Sequence, residues 1–480
     1  MKKLASLILI SLMATALFAQ VTEPKSEEKK ESAELVKLSI DEAVEYALNN
    51  SRTLKSSDID LELKERASKY SWNVFLPNVQ ASGTMSRANE YNPSSAATAA
   101  AINGALAMNG MTKMLPVKTD YATEEDRWST VGNISASWTF TPAYIAKIKV
   151  AKAQYEAGKV SWEQSQNETI TNIKKLYYGL LLQQENLKIK KTTLENARQR
   201  MNQAATNFNN GSIPEIQYLQ TQVNYENTKP EVDSAEQAFV QQMDLFAFMI
   251  GMPVGTKIEL TSTIEPQFVD VNSEELLQKY ADNDLQIQAL KKNMSAAKLG
   301  ISASELATWL PVLSLNYSWQ PVYIGSEGAW HFYKDLGSDD KWYNSGSLSL
   351  TLAWNITNML PWSSNRQQVK DYRQQLKQLE LSIETLKENQ KVQVRKAVDT
   401  LNQAREQIDA MGRNVSLAQR AYDMTARSYR NGTTELLDLR DAETSLNQAK
   451  LGLINQKFQY ISALMDLENT LNVNLTENKQ

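Results

Sequence analysis

The sequence predicts a mainly α-helical protein made of a duplicated unit that combines long coiled-coil helices with β-hairpins. The duplication is visible because FNNGSIPEIQYLQTQVNYENTK, from Phe208, aligns with YRNGTTELLDLRDAETSLNQAK, from Tyr429, with Asn-Gly at the same place in both. The hairpins are indicated by stretches such as SLSLTLAWNI, residues 347–356, in which apolar and polar residues alternate with the period of a β-strand.

Coiled coil is indicated in both halves by an apolar residue at every seventh position. This stripe consists of Leu180, Leu187, Leu194, Met201 and Phe208 in the first half and of Leu401, Ile408, Val415, Tyr422 and Tyr429 in the second. In the second half the other seam position is filled by Ala397, Ala404, Met411 and Ala418. The resulting alternation of steps of three and four is typical of coiled coils.

Residues 1–20 have the pattern of a secretory signal peptide, because Lys2 and Lys3 precede an apolar run that ends in small residues. A membrane anchor is the alternative, but the run is short for a membrane span and polar residues follow it at once. The charged residues that follow predict a disordered periplasmic extension over 21–37. We therefore expect an exported protein.

Each repeat is predicted to contain an opening helix, a break at FLP or WLP, a hairpin, a long helix of roughly 100 Å, an Asn-Gly turn and a return helix. The first opening helix begins with a capping box at Ser39. In the first repeat, 38–260, we predict helices over 39–72, 143–208 and 213–250 and strands over about 76–87 and 132–142. In the second repeat, 272–472, we predict helices over 272–308, 363–430 and 434–471 and strands over about 311–324 and 346–357. A C-terminal tail, 473–480, follows.

The predicted strands have one apolar and one polar face, which suits lipid on one side and a water-filled lumen on the other. No run after Gln20 approaches the ~20 apolar residues of a membrane helix, so a membrane span would have to use strands. Membrane strands must close into a barrel, and the smallest barrels have about eight. One chain supplies only four, so several copies must share a barrel, and three copies would give twelve strands. A soluble sandwich that caps a helical bundle explains the alternation, but it does not explain the two symmetric long helices.

Composition excludes several functional classes. The chain of 480 residues has a formal net charge of −4, which argues against nucleic acid as a partner. It contains no cysteine, and its single histidine, His331, excludes His-based metal sites and His-centred catalytic triads. Met108, Met111 and Met114 lie three residues apart in a long loop, and thioether clusters can bind Cu(I), but methionine is also a flexible filler. We therefore predict no enzyme activity, no cofactor and no metal.

Taken together, these features resemble the TolC-like outer-membrane efflux proteins over essentially the whole chain from Leu38. The residues that carry the resemblance are LSIDEAVEYALNNS, the FLP and WLP breaks, the duplication and YRNGTTELLDLRDAETSLNQAK. The resemblance implies a homotrimer with a 12-stranded outer-membrane barrel in a Gram-negative-type cell and a periplasmic α-helical tunnel. It also implies an exit duct for efflux or type I secretion. The implied partners are outer-membrane lipid, a periplasmic adaptor and an inner-membrane pump of the RND, ABC or MFS type.

The alternative function is a periplasmic coiled-coil scaffold or adaptor without a barrel. An adaptor would place one helical hairpin beside lipoyl-like and small barrel domains. Here the hairpin occurs twice, and the Gly-rich sequence of such small domains is absent. The sequence therefore favours the duct.

Asp438 and Asp441 lie three residues apart, so they share a helix face. The resemblance implies that these carboxylates ring a narrow periplasmic mouth, where they would favour cations, and that Glu435 adds to the same field. Solvated acids on an outer helix face are the alternative.

Tyr429 stands where the resemblance implies a tyrosine that helps to close the mouth. The chain departs from the family pattern at Thr434, Ile216 and Gln217, which replace an arginine, a threonine and an aspartate. The sequence therefore leaves open how the mouth is held closed.

The two Asn-Gly turns need glycine because a helix that ends in this way adopts a left-handed conformation. The resemblance implies that the adaptor docks at these tips, and a plain helical hairpin without a partner is the alternative. The first tip is formed by Asn210, Gly211 and Ser212, and the second by Asn431, Gly432 and Thr433.

Overall fold

The computed structural model describes residues 35–89, 101, 105, 108, 128–323, 332–336, 338 and 341–476. The predicted signal peptide, most of the predicted extension, and Met111, Met114 and His331 lie outside the described residues. The described chain divides into a β unit, within Ser71–Lys147 and Ser302–Val369, and a helical unit, within Lys30–Tyr70, Ile148–Ile301 and Lys370–Gln480. Across the residues that the structure describes, no helix is long and apolar enough to cross a membrane.

The opening helix of each half is divided in two, whereas the sequence predicted one continuous helix in each. In the first half, α1 (Ile40–Asn50) and α2 (Arg52–Lys69) are separated by the extended backbone of the buried Ser51. The capping box before α1 is confirmed, since Ser39 and Glu42 exchange backbone and side-chain hydrogen bonds. In the second half, α5 (Ser273–Tyr280) ends in a short 3₁₀ turn before α6 (Leu285–Trp309).

The long helices and their return helices are nearly identical in the two halves. The long helices α3 (Ala143–Asn209) and α7 (Ser364–Arg430) contain 67 residues each. The return helices α4 (Glu215–Ile250) and α8 (Leu436–Leu471) contain 36 residues each. These bounds lie within two residues of the predicted ones, and Pro230 is accommodated inside α4.

The predicted heptad stripes face the helix interfaces, but their burial decreases towards the tips. Leu180, Leu401 and Ile408 are buried. Further along the same stripes, Met201 and Val415 are only half-buried, and Phe208 is 36% exposed. The buried stripe residues belong to two buried clusters, Leu180 to the one that contains Tyr177, and Leu401 and Ile408 to the one that contains Tyr460.

The segment between the repeats is fixed by one buried tyrosine from each half. Strand β1 (Val36–Leu38) pairs in parallel with β4 (Ile258–Leu260), so the last two residues of the predicted extension belong to a strand. The hydroxyl of Tyr177 donates to the carbonyl of Leu38 at 2.7 Å and accepts from the backbone N–H of Thr261 at 3.1 Å. The hydroxyl of Tyr460 accepts from the N–H of Val269 at 2.9 Å.

The β unit contains one antiparallel four-stranded sheet in the order β2-β3-β5-β6. Its strands are β2 (Asn78–Arg87), β3 (Trp128–Phe140), β5 (Val312–Tyr323) and β6 (Trp342–Ala353). The prediction for β6 was wrong at its end, because Trp354 follows the strand and Ile356 begins a 3₁₀ turn (Ile356–Met359). The indole N–H of Trp354 instead donates to the carbonyl of Trp309, and Trp138 donates in the same way to Phe75. The same interaction, a hydrogen bond from a tryptophan indole N–H to a backbone carbonyl, therefore occurs at both proline breaks.

The register separates apolar from polar rows across the sheet. The apolar rows are Phe140, Leu313 and Leu352; Trp138, Leu315 and Leu350; and Ala136, Tyr317 and Leu348. The polar rows are Thr139, Ser314 and Thr351; Ser137, Asn316 and Ser349; and Ser135, Ser318 and Ser347. The leucines of β6 are about 70% exposed, so the apolar face is not covered within the β unit.

Candidate functional site at the hairpin tips

Both tips adopt the left-handed turn that the Asn-Gly pairs predict. Gly211 has φ 68° and Gly432 has φ 74°. The N–H of each glycine bonds the carbonyl three residues before it, and the N–H of the next residue bonds the carbonyl five residues before it, at 2.8–3.0 Å. All six predicted tip residues are exposed. A partner could therefore reach both tips.

Asp438 and Asp441 lie on the first two turns of α8, and both are exposed. Between them, Leu439 is buried, so this part of α8 has one apolar face and one acidic face. Asp438 lies in the first turn, where the partial positive charge of the helix N-terminus stabilises a carboxylate. The exposure of Asp438 and Asp441 fits a position in the lining of a pore, and it fits equally well solvated acids on an outer helix face.

The structure brings Tyr429 into a cluster with residues that sequence reasoning missed. Burial raises the pKa of Tyr429, and the nearby positive charge of Arg200 opposes the rise. Burial is also the main cause of the raised pKa of Tyr422, to which the negative charge of Glu443 adds. Both phenols therefore stay protonated at neutral pH.

Glu443 is the residue that connects this cluster, and it is buried, with only 5% of the residue exposed. Its Oε2 lies 2.7 Å from Nη2 of Arg200, and its Oε1 accepts a hydrogen bond from Nδ2 of Asn196 at 2.8 Å. One turn further along α8, Nδ2 of Asn447 donates to Oγ1 of Thr193 at 3.0 Å. These bonds join α3 of the first half to α8 of the second half.

The sequence carried a signal for this ion pair. Glu443 follows Leu439 by four residues and precedes Leu446 by three, so it occupies a position of a buried stripe. Arg200 occupies the equivalent position between the buried Ala197 and Ala204. A charged residue on each of two apolar faces indicates a buried pair.

The residues that depart from the family pattern take no part in this cluster. Ile216 is 60% exposed, Gln217 is exposed and Thr434 is half-buried. Within the described part of the chain, no hydrogen bond joins them to Tyr429. Met108 is 92% exposed, and the described residues contain no group of three or more His, Cys, Asp or Glu that could hold a metal.

Comparison with known proteins identifies the family. A family model described as outer membrane efflux protein matches residues 43–251 and 276–473, which is most of the chain. Nodulation protein T of Rhizobium leguminosarum bv. trifolii is 22% identical over 351 residues, which cover 71% of each protein.

Solved structures show the same fold. The CmeC outer membrane channel of Campylobacter jejuni has a TM-score of 0.69 at 16% identity, over 90% of this chain and 85% of that one. The open state of the MtrE outer membrane channel of Neisseria gonorrhoeae has a TM-score of 0.64 at 16% identity, over 92% and 90%. The predicted fold class and outer-membrane location are thereby confirmed, and the chain belongs to the outer membrane efflux protein family.

Proposed function

We propose that this chain forms the passive exit duct of a tripartite efflux or type I secretion system, as a homotrimer that is gated at its periplasmic end. The four-stranded sheet is the observation that carries the proposal. Its rows of leucine and aromatic residues are exposed on one face, its serine and threonine rows lie on the other, and β2 and β6 are its edge strands. Edge strands in lipid need partners, and two further copies would supply them in a 12-stranded barrel.

The tips support the proposed partners. Both left-handed turns are exposed and have the same backbone geometry, so one chain offers two similar docking points. We propose that a periplasmic adaptor binds these tips and connects the duct to an inner-membrane pump of the RND, ABC or MFS type. Asp438 and Asp441, on the exposed face of α8, would line the mouth with six carboxylates from three copies.

The assembly is tested with protein purified from outer membranes. Unheated samples are expected to migrate as a trimer in gel electrophoresis and heated samples as a monomer, and the unheated protein is expected to conduct ions in planar bilayers. A monomer recovered from the soluble periplasmic fraction would instead support the scaffold or adaptor alternative.

The mouth is tested by the double substitution Asp438→Ala with Asp441→Ala. We expect block of the channel by multivalent cations to weaken roughly tenfold, because the field at the constriction loses its carboxylates. The control is Asp58→Ala with Glu62→Ala, which removes two exposed acids from α2. Block that is equal in wild type and in the Asp438/Asp441 variant would place these acids away from the constriction.

A further inference from the structure

Arg366, in the first turn of α7, is a cation without an anionic partner in the part of the chain that the structure describes. Its guanidinium lies over the ring of Trp309, 5.1 Å from the ring centroid, and its Nε is buried without a hydrogen-bond partner. Across the described ranges, no carboxylate pairs with this guanidinium and no oxygen accepts a hydrogen bond from it. A buried N–H group without a partner destabilises a fold, so packing alone does not explain an arginine at this position.

The proline break of the first repeat shows that the fold does not need a guanidinium here. In both repeats a tryptophan indole donates to the carbonyl of the aromatic residue that begins the break, which is Phe75 in the first and Trp309 in the second. The ring of Phe75 packs edge-on against the ring of Tyr144, in the first turn of α3, with the centroids 5.8 Å apart. At the second break Arg366 packs on the aromatic ring instead. An aromatic pair is therefore sufficient at such a break, and the charge of Arg366 is an addition.

The surface around Arg366 is rich in exposed tryptophan. Trp309 is 46% exposed, Trp354 is 58% exposed and Trp362 is 75% exposed. Trp354 is bonded to the carbonyl of Trp309, and Trp362 lies four residues before Arg366 in the segment that joins β6 to α7. Tryptophan is enriched where the hydrocarbon of a membrane meets the lipid headgroups, because the indole has an apolar body and one polar N–H.

This surface lies at one end of the proposed barrel. Strand β5 begins three residues after Trp309, and β6 ends one residue before Trp354. The apolar face of the sheet, which we propose to contact lipid, therefore ends where Arg366 and the tryptophans begin. In the proposed channel this is the periplasmic end of the barrel, and the outer-membrane leaflet that faces the periplasm consists of phospholipid.

We propose that Arg366 and Trp309 form a binding site for the phosphodiester of a phospholipid headgroup, with Trp354 and Trp362 against the glycerol and the adjoining acyl chains. The guanidinium presents a planar set of N–H donors that matches phosphate oxygens, and its stacking on Trp309 holds that plane in position. The phosphate supplies the negative charge that the described residues do not provide. Each chain thereby holds one lipid at the boundary between its sheet and its helices. This inference rests on the proposed channel function.

The first test counts the lipids that the purified full-length trimer retains, by native mass spectrometry, in detergent that contains either phosphatidylglycerol or diacylglycerol with the same acyl chains. Wild type is expected to retain about one phosphatidylglycerol per chain and no diacylglycerol, because only the first lipid has a phosphodiester. Equal retention of the two lipids would overturn the site.

The source of the phosphate is tested through the temperature at which the trimer dissociates. Phosphatidylglycerol is expected to raise this temperature, because a ligand that binds the assembled form stabilises it. Inorganic phosphate at the same concentration is expected to leave it unchanged, since a free anion does not contact the tryptophans. An equal rise with both would assign the site to a free anion and contradict a lipid site.

The second test changes the arginine. Arg366→Gln is expected to bind phosphatidylglycerol ~10-fold more weakly, because it loses the charge and the planar donors. Arg366→Lys keeps the charge without the planar group and is expected to bind with intermediate affinity. The control is Lys147→Gln, which removes an exposed lysine that lies over Tyr144 in the first repeat and should bind like wild type.

Equal binding by wild type and by Arg366→Gln would overturn the site while leaving the channel function intact. If Arg366→Gln forms no trimer, the comparison of phosphatidylglycerol with diacylglycerol in wild type and in Arg366→Lys decides. Wild-type protein that forms no trimer and no channel would overturn the proposed function, and the lipid site with it. The two failures are therefore distinguishable.

Discussion

The carboxylate of Asp284 lies at the break between α5 and α6 and caps the start of α6. It accepts hydrogen bonds from the N–H groups of Gln286 at 2.8 Å and Ile287 at 3.2 Å, and from Nε2 of the buried Gln390 at 3.2 Å. Burial is nevertheless the largest effect, and it raises the pKa of this carboxyl group. A raised folded-state pKa favours folding at pH values below the unfolded pKa of about 3.9, and this contribution is lost as pH rises through the folded-state pKa.

Asp284→Asn is therefore expected to be at least as stable as wild type at neutral pH, because it keeps the capping oxygen and removes the buried charge. Asp284→Ala is the matched comparison. Its free energy of unfolding should be about 1 kcal/mol lower than that of wild type, because the side chain that caps α6 is gone. Thermal unfolding followed by circular dichroism should show wild type losing stability relative to Asp284→Asn as pH rises above the unfolded pKa of about 3.9 and through the raised folded-state pKa. If the asparagine and alanine variants are equally unstable, the capping bonds do not hold this break.

At the scale of elements, two glycines allow the backbone strain of a tip turn to be measured separately from side-chain packing. A Cβ added at Gly432, in the second tip, or at Gly412, inside α7, would meet nothing within 4 Å. The two positions differ in backbone conformation, because Gly432 has φ 74° whereas Gly412 is helical. Any difference between alanine substitutions at these positions therefore comes from the backbone.

Gly432→Ala is expected to destabilise the tip by about 1 kcal/mol, because an L-residue is strained in the left-handed region. Gly412→Ala is expected to stabilise α7 by about 0.5–1 kcal/mol, because alanine loses less conformational freedom in a helix. Hydrogen–deuterium exchange across 420–445 should be faster in the first variant and unchanged or slower in the second. Equal exchange in the two variants would contradict a strained tip turn.

At the scale of the whole molecule, apolar side chains remain uncovered at coiled-coil spacing on two different helices. On α4, Ile216, Leu219 and Val223 are 43–60% exposed and follow steps of three and four. On α7, Leu417 and Met424 are seven residues apart and about 65% exposed. Two different patches that join head to tail generate a closed ring where the rotation between copies closes, and such a ring suits the proposed trimer better than a two-fold dimer.

Ile216→Ser with Val223→Ser is expected to lower the temperature at which the proposed trimer dissociates in gel electrophoresis, because it would remove apolar area from the interface that we propose between copies. Each buried side chain of this kind contributes about 1.5–3 kcal/mol. The control is Gln220→Ser with Asn227→Ser, which changes two exposed polar residues of the same helix. An unchanged dissociation temperature in the apolar variant would place the interface elsewhere.

The sequence predicted the features that periodicity and turn chemistry determine. The long helices and Asn-Gly tips follow from heptad spacing and from a glycine with positive φ, so their bounds were nearly right. The breaks at Ser51 and Asp284 were missed because neither position carries a glycine or proline signal. Asp284 caps the next helix with its side chain, whereas Ser51 makes no side-chain capping bond. The Arg200–Glu443 pair was missed because a charged residue on the apolar face of one helix does not say which charge it meets, and only the approach of α3 to α8 brings the two together.

The pairing of β1 with β4 has a consequence for how the chain folds. The N–H of Ile40 donates to the hydroxyl of Ser262, 222 residues later, and Tyr177 bonds both ends of the same junction. Contacts between residues so distant in sequence form late, because the intervening chain must lose entropy before they are made. The first repeat therefore cannot complete its core until export has delivered the junction, and a chain stalled before Ile258 would present an unpaired strand edge to periplasmic proteases and chaperones.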